Sequence, residues 1–227
     1  MFVIDEIKCE KALRVGLAKM NIVISDKKIQ QLLAYLTEFV KWNKAYNLSA
    51  IRDPLAMVEK HLLDSLVLVP LLKREIEKTI EKSHPTIKRI IDVGTGGGLP
   101  GIPLSIVFPE IDFVLLDSNG KKTRFLFQVK TQLQLDNVDI ENTRVKSYRP
   151  QKQFNIVMSR AFASLQDMVL GSRHLLDQKG CFWAMKGLYP ENELRDCEKH
   201  AIVDAFYPLT VPNMDGERHL LVLTPVA

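Results

Sequence analysis

Five glycines lie within eight residues near the middle of the chain, between a short apolar run and a second apolar segment. Residues 90–93 are mostly β-branched, which predicts a buried parallel strand. Pro103 stands near the start of the second segment, a position that suits the first turn of a helix. Glycines allow positive φ angles and let a ligand approach the backbone. Amides at the start of the helix would face polar or anionic groups, so the spacing predicts a ligand-binding turn.

Two classes of nucleoside ligand are bound by such turns. Gly96, Gly98 and Gly101 have the G-x-G-x-x-G spacing of dinucleotide-binding folds. However, the predicted strand ends before Gly94, two residues too early for that fingerprint. The acidic-x-Gly-x-Gly-x-Gly pattern that begins at Asp92 fits the sequence better. This pattern resembles the first motif of S-adenosylmethionine-dependent methyltransferases.

A carboxylate follows the second predicted strand, residues 111–116. Asp117 can accept hydrogen bonds from the two hydroxyl groups of a ribose, which both classes of ligand contain. Ser118 and Asn119 lie beside it at the carboxyl edge of the sheet, where open α/β folds bind ligands. These residues support a nucleoside ligand without deciding between the two classes.

The loops after the next two strands are candidates for adenine and acceptor binding. The loop after residues 138–142 is placed to flank an adenine ring, with Val145 as an apolar contact. Arg160 follows residues 154–158, and arginine is a poor base but a good clamp for phosphate or plate for a purine. This loop contains no Pro-Pro-aromatic motif and no nucleophilic cysteine. It therefore favours an acceptor that is already nucleophilic, such as guanine N7, which has only to be aligned.

A lysine follows the fifth predicted strand, residues 180–185. Because parallel strands end at the same edge of a sheet, Lys186 should lie near Arg160. The two cations could hold an RNA phosphate beside the methyl donor. The alternative for Lys186 is a solvated strand end.

The N-terminal elements are predicted to be helical. Apolar spacing indicates a first helix within residues 1–20 and a long amphipathic helix with Ser25 as its N-cap. Asp53 and Pro54 predict the start of a third helix. Residues 73–89 are polar and charged, and we interpret them as a link to the next domain.

From residue 87 onward, predicted strands alternate with helices, which implies right-handed βαβ units and a parallel sheet covered on both faces. Two strand-like segments end the chain, residues 202–209 and 219–223, with a turn signal between them that predicts an antiparallel hairpin. The predicted fold class is α/β: a Rossmann-like, mostly parallel seven-stranded sheet with an antiparallel C-terminal hairpin. Residues 1–86 would form an N-terminal helical extension and residues 87–227 the Rossmann-like domain. The predicted helices of that domain are residues 102–108, 121–135 and 165–176.

The composition is that of a globular protein, with 46% hydrophobic and 26% charged residues. No apolar run approaches the ~18 residues that span a bilayer, and the N-terminus lacks a signal-peptide hydrophobic region. The three cysteines have neither disulfide-framework nor metal-ligand spacing. We therefore expect a cytoplasmic protein with no membrane partner and no metal site.

The net charge of +4 comes from the part of the chain ahead of the glycine turn. Residues 1–89 carry 16 Lys/Arg against 11 Asp/Glu, whereas the remainder carries 15 against 16. A basic surface can bind nucleic-acid phosphates, although it can equally be a solvated helical face. If this part contacts RNA, charge reversals at Lys41, Lys44 and Arg52 should weaken RNA binding without altering donor affinity.

Several segments together resemble one known family. In chain order they are KWNKAYNLSAIRDP, KHLLDSL, IIDVGTGGGLPGIPLSI, LLDSNGKKTRFL, SRAFASL, AMKG and DGERHLL. On these segments the chain is identified as a member of the ribosomal RNA small-subunit methyltransferase G family, formerly called glucose-inhibited division protein B. The resemblance implies a class I fold and transfer of a methyl group from S-adenosyl-L-methionine, which leaves S-adenosyl-L-homocysteine. The acceptor it implies is N7 of a guanosine in the 530 loop of bacterial 16S rRNA.

The resemblance also implies site residues and partners. The partner it implies is 16S rRNA or the small ribosomal subunit. From their place at the sheet edge Arg160 and Lys186 are our catalytic candidates, and we expect a monomer. His61, Asp64 and Arg218 match family positions without an assigned role. Lys146 is a departure, since the family often has an acidic residue there, and donor affinity could fall if a carboxylate held the adenine amino group. The implied cofactor-binding residues are Gly94, Gly96, Gly98, Leu99, Asp117, Ser118, Asn119, Val145, Lys146 and Arg160.

Two other functions stay open on the residues alone. One is an rRNA-binding assembly factor that keeps an idle methyltransferase fold, although the intact glycine turn and Asp117 argue against idleness. The other is a nucleotide-dependent oxidoreductase, against which Asp92 and the predicted C-terminal hairpin argue.

Overall fold

The first part of the chain is helical. The structure, a computed structural model, describes residues 4–81, 87–160, 162 and 164–226. A π-helical segment, Val58–Leu63, joins the third and fourth helices into one continuous helical segment. The helices are α1 (Glu6–Lys19), α2 (Asp26–Tyr46), α3 (Pro54–Met57), α4 (Asp64–Leu66) and α5 (Val69–Glu81).

Two predicted helix starts are confirmed by their caps. The Ser25 hydroxyl accepts a hydrogen bond from the Lys28 amide (3.4 Å), so α2 begins where its N-cap predicts. The Asp53 carboxylate accepts one from the Ala56 amide (2.8 Å) at the start of α3. Pro54 occupies the first turn, where it has no amide to leave unpaired.

Among the described residues, the second part of the chain contains a seven-stranded sheet, ordered β3-β2-β1-β4-β5-β7-β6. The pairs among β1 to β5 are parallel, and β7 is antiparallel to both β5 and β6. The prediction of a mostly parallel sheet with an antiparallel C-terminal pair is confirmed. The strands are β1 (Arg89–Val93), β2 (Asp112–Leu116), β3 (Val138–Glu141), β4 (Phe154–Ser159), β5 (Leu176–Lys186), β6 (Ala201–Pro208) and β7 (His219–Pro225).

Different helices cover the two faces of the sheet. The helices of this part are α6 (Gly101–Val107), α7 (Gly120–Leu133), α8 (Leu165–Ser172) and α9 (Glu191–Cys197). Successive residues of a strand point to opposite faces. Accordingly, Ile90 packs in one apolar cluster with the N-terminal helices, α6 and α7, whereas Ile91 packs in another with α8 and α9. The N-terminal helices and the sheet thus share one continuous apolar cluster.

The order of the strands places a crevice beside β1. The chain runs from β1 outward through β2 and β3, and then returns to the other side of β1 as β4 and β5. The loops after β1 and β4 therefore diverge at the carboxyl edge of the sheet. Such a switch point is where open α/β sheets bind ligands. Among the described helices, none is both long enough and apolar enough to cross a membrane.

The interpretation of residues 73–89 as a polar link is wrong for most of its length. Helix α5 extends to Glu81, and β1 begins at Arg89. Val69 and Leu72 are buried and Ile76 packs against the same cluster, so one narrow apolar stripe suffices to dock a helix that is otherwise charged. The predicted link also includes residues 82–86, which lie outside the described residues.

Two elements of the C-terminal half also differ from the prediction. Helix α9 was not predicted, because its seven residues are mostly charged and its only buried residue is Cys197 at the end. Strand β5 begins at Leu176, four residues before the predicted start. The extra residues pair with β4 through Phe154 and Leu176, ahead of a register shift.

Candidate active site

The carboxylate of Asp92, at the end of β1, is hydrogen bonded to the glycine turn. Its Oδ2 atom accepts hydrogen bonds from Thr95 Oγ1 (2.8 Å) and the Gly101 amide (3.0 Å), which ties the two ends of the turn together. Its Oδ1 atom is buried and has no hydrogen-bond partner among the described residues. Burial raises the pKa of Asp92 to about 6, although the two hydrogen bonds lower it.

The turn itself depends on glycine backbone angles. Gly94, Gly96 and Gly98 have φ of 69°, 61° and 88°, a region that other residues rarely adopt. The amides of Gly94 and Thr95 both donate to the Leu116 carbonyl (2.8 and 3.2 Å). The turn is therefore fixed to the end of β2, where Asp117 begins the next loop.

Helix α2 supports the back of the turn. The buried Tyr35 hydroxyl donates a hydrogen bond to the Gly97 carbonyl (2.7 Å). The Phe39 ring packs against Gly97 so closely that a Cβ there would come within 2.4 Å of Phe39 Cε2. The N-terminal helices therefore shape the glycine turn as well as covering the sheet.

Asp117 has the hydrogen-bonding capacity that a ribose requires. Its Oδ2 atom accepts from the Gly96 amide (2.9 Å) and its Oδ1 atom from the Asn119 amide (2.8 Å). Each oxygen of an ionised carboxylate can accept two hydrogen bonds. Both oxygens can therefore accept one more, from a pair of neighbouring hydroxyl groups.

A first cavity of about 510 Å³ opens beside Asp117. Leu116, Val145 and Phe162 give it apolar walls that suit an aromatic base, and the Asp117 carboxylate lies beside them. These residues fit the adenosine part of S-adenosylmethionine. The first cavity is lined by Val93, Gly94, Leu116, Asp117, Ser118, Thr143, Arg144, Val145, Lys146 and Phe162.

The first cavity includes half of the predicted cofactor-binding residues. Gly96 and Asn119 lie behind it and contact the Asp117 carboxylate through their amides. Gly98 and Leu99 are buried in the glycine turn and do not line this cavity. Arg160 lines a different cavity. The predicted residues that line the first cavity are Gly94, Asp117, Ser118, Val145 and Lys146.

A second cavity of about 380 Å³ contains both catalytic candidates. Arg160 and Lys186 stand at the ends of the neighbouring parallel strands β4 and β5, whose residues Ser159 and Ala184 are in register. Four of its residues are cationic and one is a carboxylate, a balance that suits a phosphate group. The second cavity is lined by Ile51, Lys60, His61, Asp64, Arg160, Met185, Lys186, Gly187 and Arg218.

Asp64 joins two of these cations. Its Oδ2 atom lies 2.9 Å from Arg160 Nη1, and its Oδ1 atom lies 3.0 Å from Arg218 Nε. The Asp64 side chain is only 3% exposed, whereas the arginines are 29% and 32% exposed. The carboxylate thus fixes one end of each guanidinium group and leaves part of each facing the second cavity.

Lys186 and His61 of the second cavity also have partners. Lys186 Nζ lies 2.7 Å from Glu193 Oε2. His61 Nδ1 donates to the Lys60 carbonyl (2.8 Å), since a carbonyl can only accept, and His61 Nε2 accepts from the Ser49 hydroxyl (2.9 Å). Burial lowers the pKa of His61 to about 4, so the ring is uncharged at neutral pH.

Sequence reasoning assigned no role to Phe162, which lines the first cavity, or to Lys60 and Met185, which line the second. Phe162 could have been found as the aromatic residue two positions after Arg160 in the loop that faces the transferred group. Lys60 and Met185 gave no such signal. Their positions depend on how α3, the π-helical segment and β5 pack.

Comparison with known proteins identifies the family. The model of the rRNA small subunit methyltransferase G family (GidB) matches residues 28–221. The chain belongs to this family. Ribosomal RNA small subunit methyltransferase G of Cellvibrio japonicus is 55% identical over 95% of this chain and 94% of its own length. The protein of the same name from Saccharophagus degradans is 53% identical over 91% of this chain and 86% of its own length. The chain is therefore an enzyme, a methyltransferase.

The fold is shared with much more distant methyltransferases. A glycopeptide N-methyltransferase, MtfA, solved in complex with S-adenosyl-L-methionine, aligns with a TM-score of 0.54 at 9% identity. The alignment covers 68% of this chain and 87% of that one. The Rossmann-like class I fold of S-adenosylmethionine-dependent methyltransferases, predicted from the sequence, is thereby confirmed.

Proposed function

We propose that this enzyme transfers a methyl group from S-adenosyl-L-methionine to N7 of a guanosine in the 530 loop of 16S rRNA, leaving S-adenosyl-L-homocysteine. When bound, the donor supplies a methyl group on a positively charged sulfur, which a lone pair can attack. The membership in the rRNA small subunit methyltransferase G family supports an rRNA substrate. The finer assignment depends on the two cavities.

The first cavity would hold the donor. Asp117 would accept hydrogen bonds from both ribose hydroxyls, and Val145 and Phe162 would contact the adenine ring. The positive φ angles of Gly94 and Gly96 would let the donor approach the backbone of the turn closely. Lys146 also lines this cavity, so its backbone could contact adenine without the acidic side chain common in the family.

One observation carries the choice of acceptor atom: the described residues that line the second cavity include no carboxylate or imidazole that is available as a base. Both oxygens of Asp64 are engaged by guanidinium groups, and both nitrogens of His61 are hydrogen bonded. Guanine N7 has a lone pair and no proton, so it can attack without a base. Catalysis would then depend on alignment of the acceptor with the methyl group.

Arg160 and Lys186 would position the RNA. Both line the second cavity, and both side chains could hold a phosphate of the strand that carries the target base. Their partners Asp64 and Glu193 would keep them in place in the absence of RNA. We infer that the protein acts as a cytoplasmic monomer on 16S rRNA or the small ribosomal subunit.

The test is methylation of small ribosomal subunits from cells that lack this modification, with labelled S-adenosylmethionine. The modified base is mapped by chemical cleavage at N7-methylguanosine. A single cleavage in the 530 loop is the expected result. Donor binding without any cleavage of 16S rRNA would refute the proposed acceptor.

A variant separates catalysis from an idle binding fold. Arg160→Ala should bind donor and subunits measurably but lose most methyl transfer, because its guanidinium group lines the second cavity. Methyl transfer by Arg160→Ala at the wild-type rate would refute the catalytic role of Arg160.

A further inference from the structure

Three aromatic rings and one leucine form the rim cluster: Leu188, Tyr189 and Phe206 are exposed, whereas His219, which stacks on Phe206, is buried. The Tyr189 and Phe206 rings meet edge to face, with centroids 5.0 Å apart at 89°. The Phe206 and His219 rings stack, with centroids 4.8 Å apart at 27°. Leu188 is 77% exposed and Tyr189 is 50% exposed.

The rim cluster adjoins the second cavity through the backbone. Tyr189 follows Lys186 and Gly187, which line that cavity, and His219 directly follows Arg218, which lines it too. His219 Nδ1 donates a hydrogen bond to the Gly187 carbonyl (2.8 Å). A chain that enters the second cavity from this side would therefore pass the rim cluster.

The exposed members of the rim cluster are not needed for either apolar core. Leu188, Tyr189 and Phe206 belong to neither of the two buried clusters that hold the sheet and its helices. Single exposed apolar residues are common, but a contiguous group beside a functional cavity indicates an interaction surface.

The geometry points to a nucleobase as the occupant of the rim cluster: an unpaired base next to the methylated guanosine stacks on Tyr189. The inference rests on the proposed function. The second cavity offers Lys60, Arg160, Lys186 and Arg218 to phosphates, and Asp64 is the one carboxylate among the described residues that line it. An RNA strand carries one base for each phosphate. If its phosphates bind these cations, a base next to the target guanosine can reach the rim cluster. Single-stranded RNA is held in this way, by cations along the backbone and aromatic rings beneath the bases.

The first experiment measures methylation kinetics on unmethylated small ribosomal subunits. Tyr189→Ala should raise KM for subunits about 5- to 100-fold, the effect of losing one stacked base. The kcat at saturating subunits and the Kd for S-adenosylmethionine should stay within about twofold. Tyr189→Phe keeps the ring and should behave as wild type.

A matched control is an exposed aromatic residue that lines neither cavity. Phe127 on α7 is 51% exposed, nearly the same as Tyr189, and lines neither cavity. Phe127→Ala should leave KM unchanged. Equal KM values for Tyr189→Ala and wild type would overturn the inference, as would equal increases in Tyr189→Ala and Phe127→Ala. In all these outcomes wild type still methylates subunits, whereas failure of the proposed function would abolish transfer by wild type itself.

A second experiment identifies what touches the ring. Tyr189 is replaced by photoreactive benzoylphenylalanine, and the variant is irradiated on small subunits with S-adenosylhomocysteine present. The expected adduct is a 16S rRNA nucleotide within a few positions of the methylated guanosine. An adduct confined to a ribosomal protein, or no adduct, would overturn the nucleobase assignment.

Discussion

At the scale of single residues, the two aspartates that accept hydrogen bonds from the glycine turn are in different environments. Asp117 faces the first cavity with unused acceptor positions, whereas Asp92 is fully buried beneath the turn. The same side chain therefore serves ligand binding in one case and loop architecture in the other. Substitution of either by asparagine separates these roles.

Asp117→Asn should weaken binding of S-adenosylmethionine about 10- to 100-fold. One of the two acceptor oxygens becomes an amide group, and a hydrogen bond to an ionised group contributes roughly 1.5–3 kcal/mol. Isothermal titration calorimetry measures the change. Asp139→Asn, on a 75%-exposed carboxylate of β3, is the matched control and should bind donor normally. Unchanged donor affinity in Asp117→Asn would refute the ribose contact.

Asp92 should make stability depend on pH. Its folded pKa of about 6 lies above the ordinary value of 3.8, so the protonated form is favoured in the folded state. The stabilisation is fully present below about pH 4 and is lost as the pH rises through 6, a change of roughly 3 kcal/mol. Wild type should therefore gain Tm relative to Asp92→Asn between pH 7 and pH 4. Parallel Tm profiles for the two proteins would contradict the raised pKa.

At the scale of elements, Asp64 connects three segments that are distant in the chain. It lies on α4 and pairs with Arg160 after β4 and Arg218 before β7. The second cavity is therefore built by the N-terminal helices and the sheet together. The geometry of the second cavity should therefore change when Asp64 is substituted, although Asp64 lies on α4 and on neither strand.

Asp64→Asn should lower the free energy of unfolding by about 1–3 kcal/mol. Loss of a buried partner is costly, but both arginines are partly exposed and can be hydrated instead. Methyl transfer should fall at least tenfold, while donor affinity is retained because Asp64 does not line the first cavity. Urea unfolding, a methylation assay and donor titration measure these three quantities.

The contrasting ion pair for this prediction is on the surface. Asp139 pairs with Lys130 at 3.2 Å, with side chains 75% and 32% exposed. Such pairs contribute about 0–1 kcal/mol, so Asp139→Asn should change unfolding little. Equal losses of unfolding free energy in Asp64→Asn and Asp139→Asn would mean that the buried ion pairs of Asp64 stabilise the fold no more than a surface pair does.

At the scale of the whole molecule, the positive charge of the N-terminal part is the candidate RNA footprint. The structure shows that its three proposed residues are not equivalent. Arg52 donates hydrogen bonds to the Asn43 carbonyl (2.6 Å) and Asn47 Oδ1 (2.5 Å) at the end of α2. Lys41 lies 3.5 Å from Glu38, whose side chain is 7% exposed. Charge reversal at either residue would disturb the fold, so Lys44 gives the cleaner test.

Lys44→Glu should weaken binding to 16S rRNA or small subunits several-fold at low salt, with unchanged donor affinity. The difference from wild type should shrink as salt rises, because phosphate contacts act through counterion release. Lys199→Glu makes the same charge change at an exposed residue outside the N-terminal part and should have little effect. A salt-independent effect, or equal effects of the two variants, would contradict RNA contact by the N-terminal helices.

Local chemistry made part of this protein predictable from its sequence. Glycine spacing after a β-branched run indicated the turn, and side-chain caps at Ser25 and Asp53 marked helix starts, because both effects act within a few residues. The alternation of strands and helices then restricted the topology to a parallel sheet with right-handed βαβ crossovers. Asp117 followed from its place at the end of β2.

Only the tertiary structure decided which distant residues meet. Asp64 pairs with residues 96 and 154 positions away, and no local pattern specifies such a contact. Helix α5 was mistaken for a link because its narrow apolar stripe has meaning only against the cluster it covers. Phe162, likewise, lines the first cavity because of how its loop packs, which the local sequence does not specify. Local spacing determines which elements form, whereas the packing of those elements determines which side chains share a site.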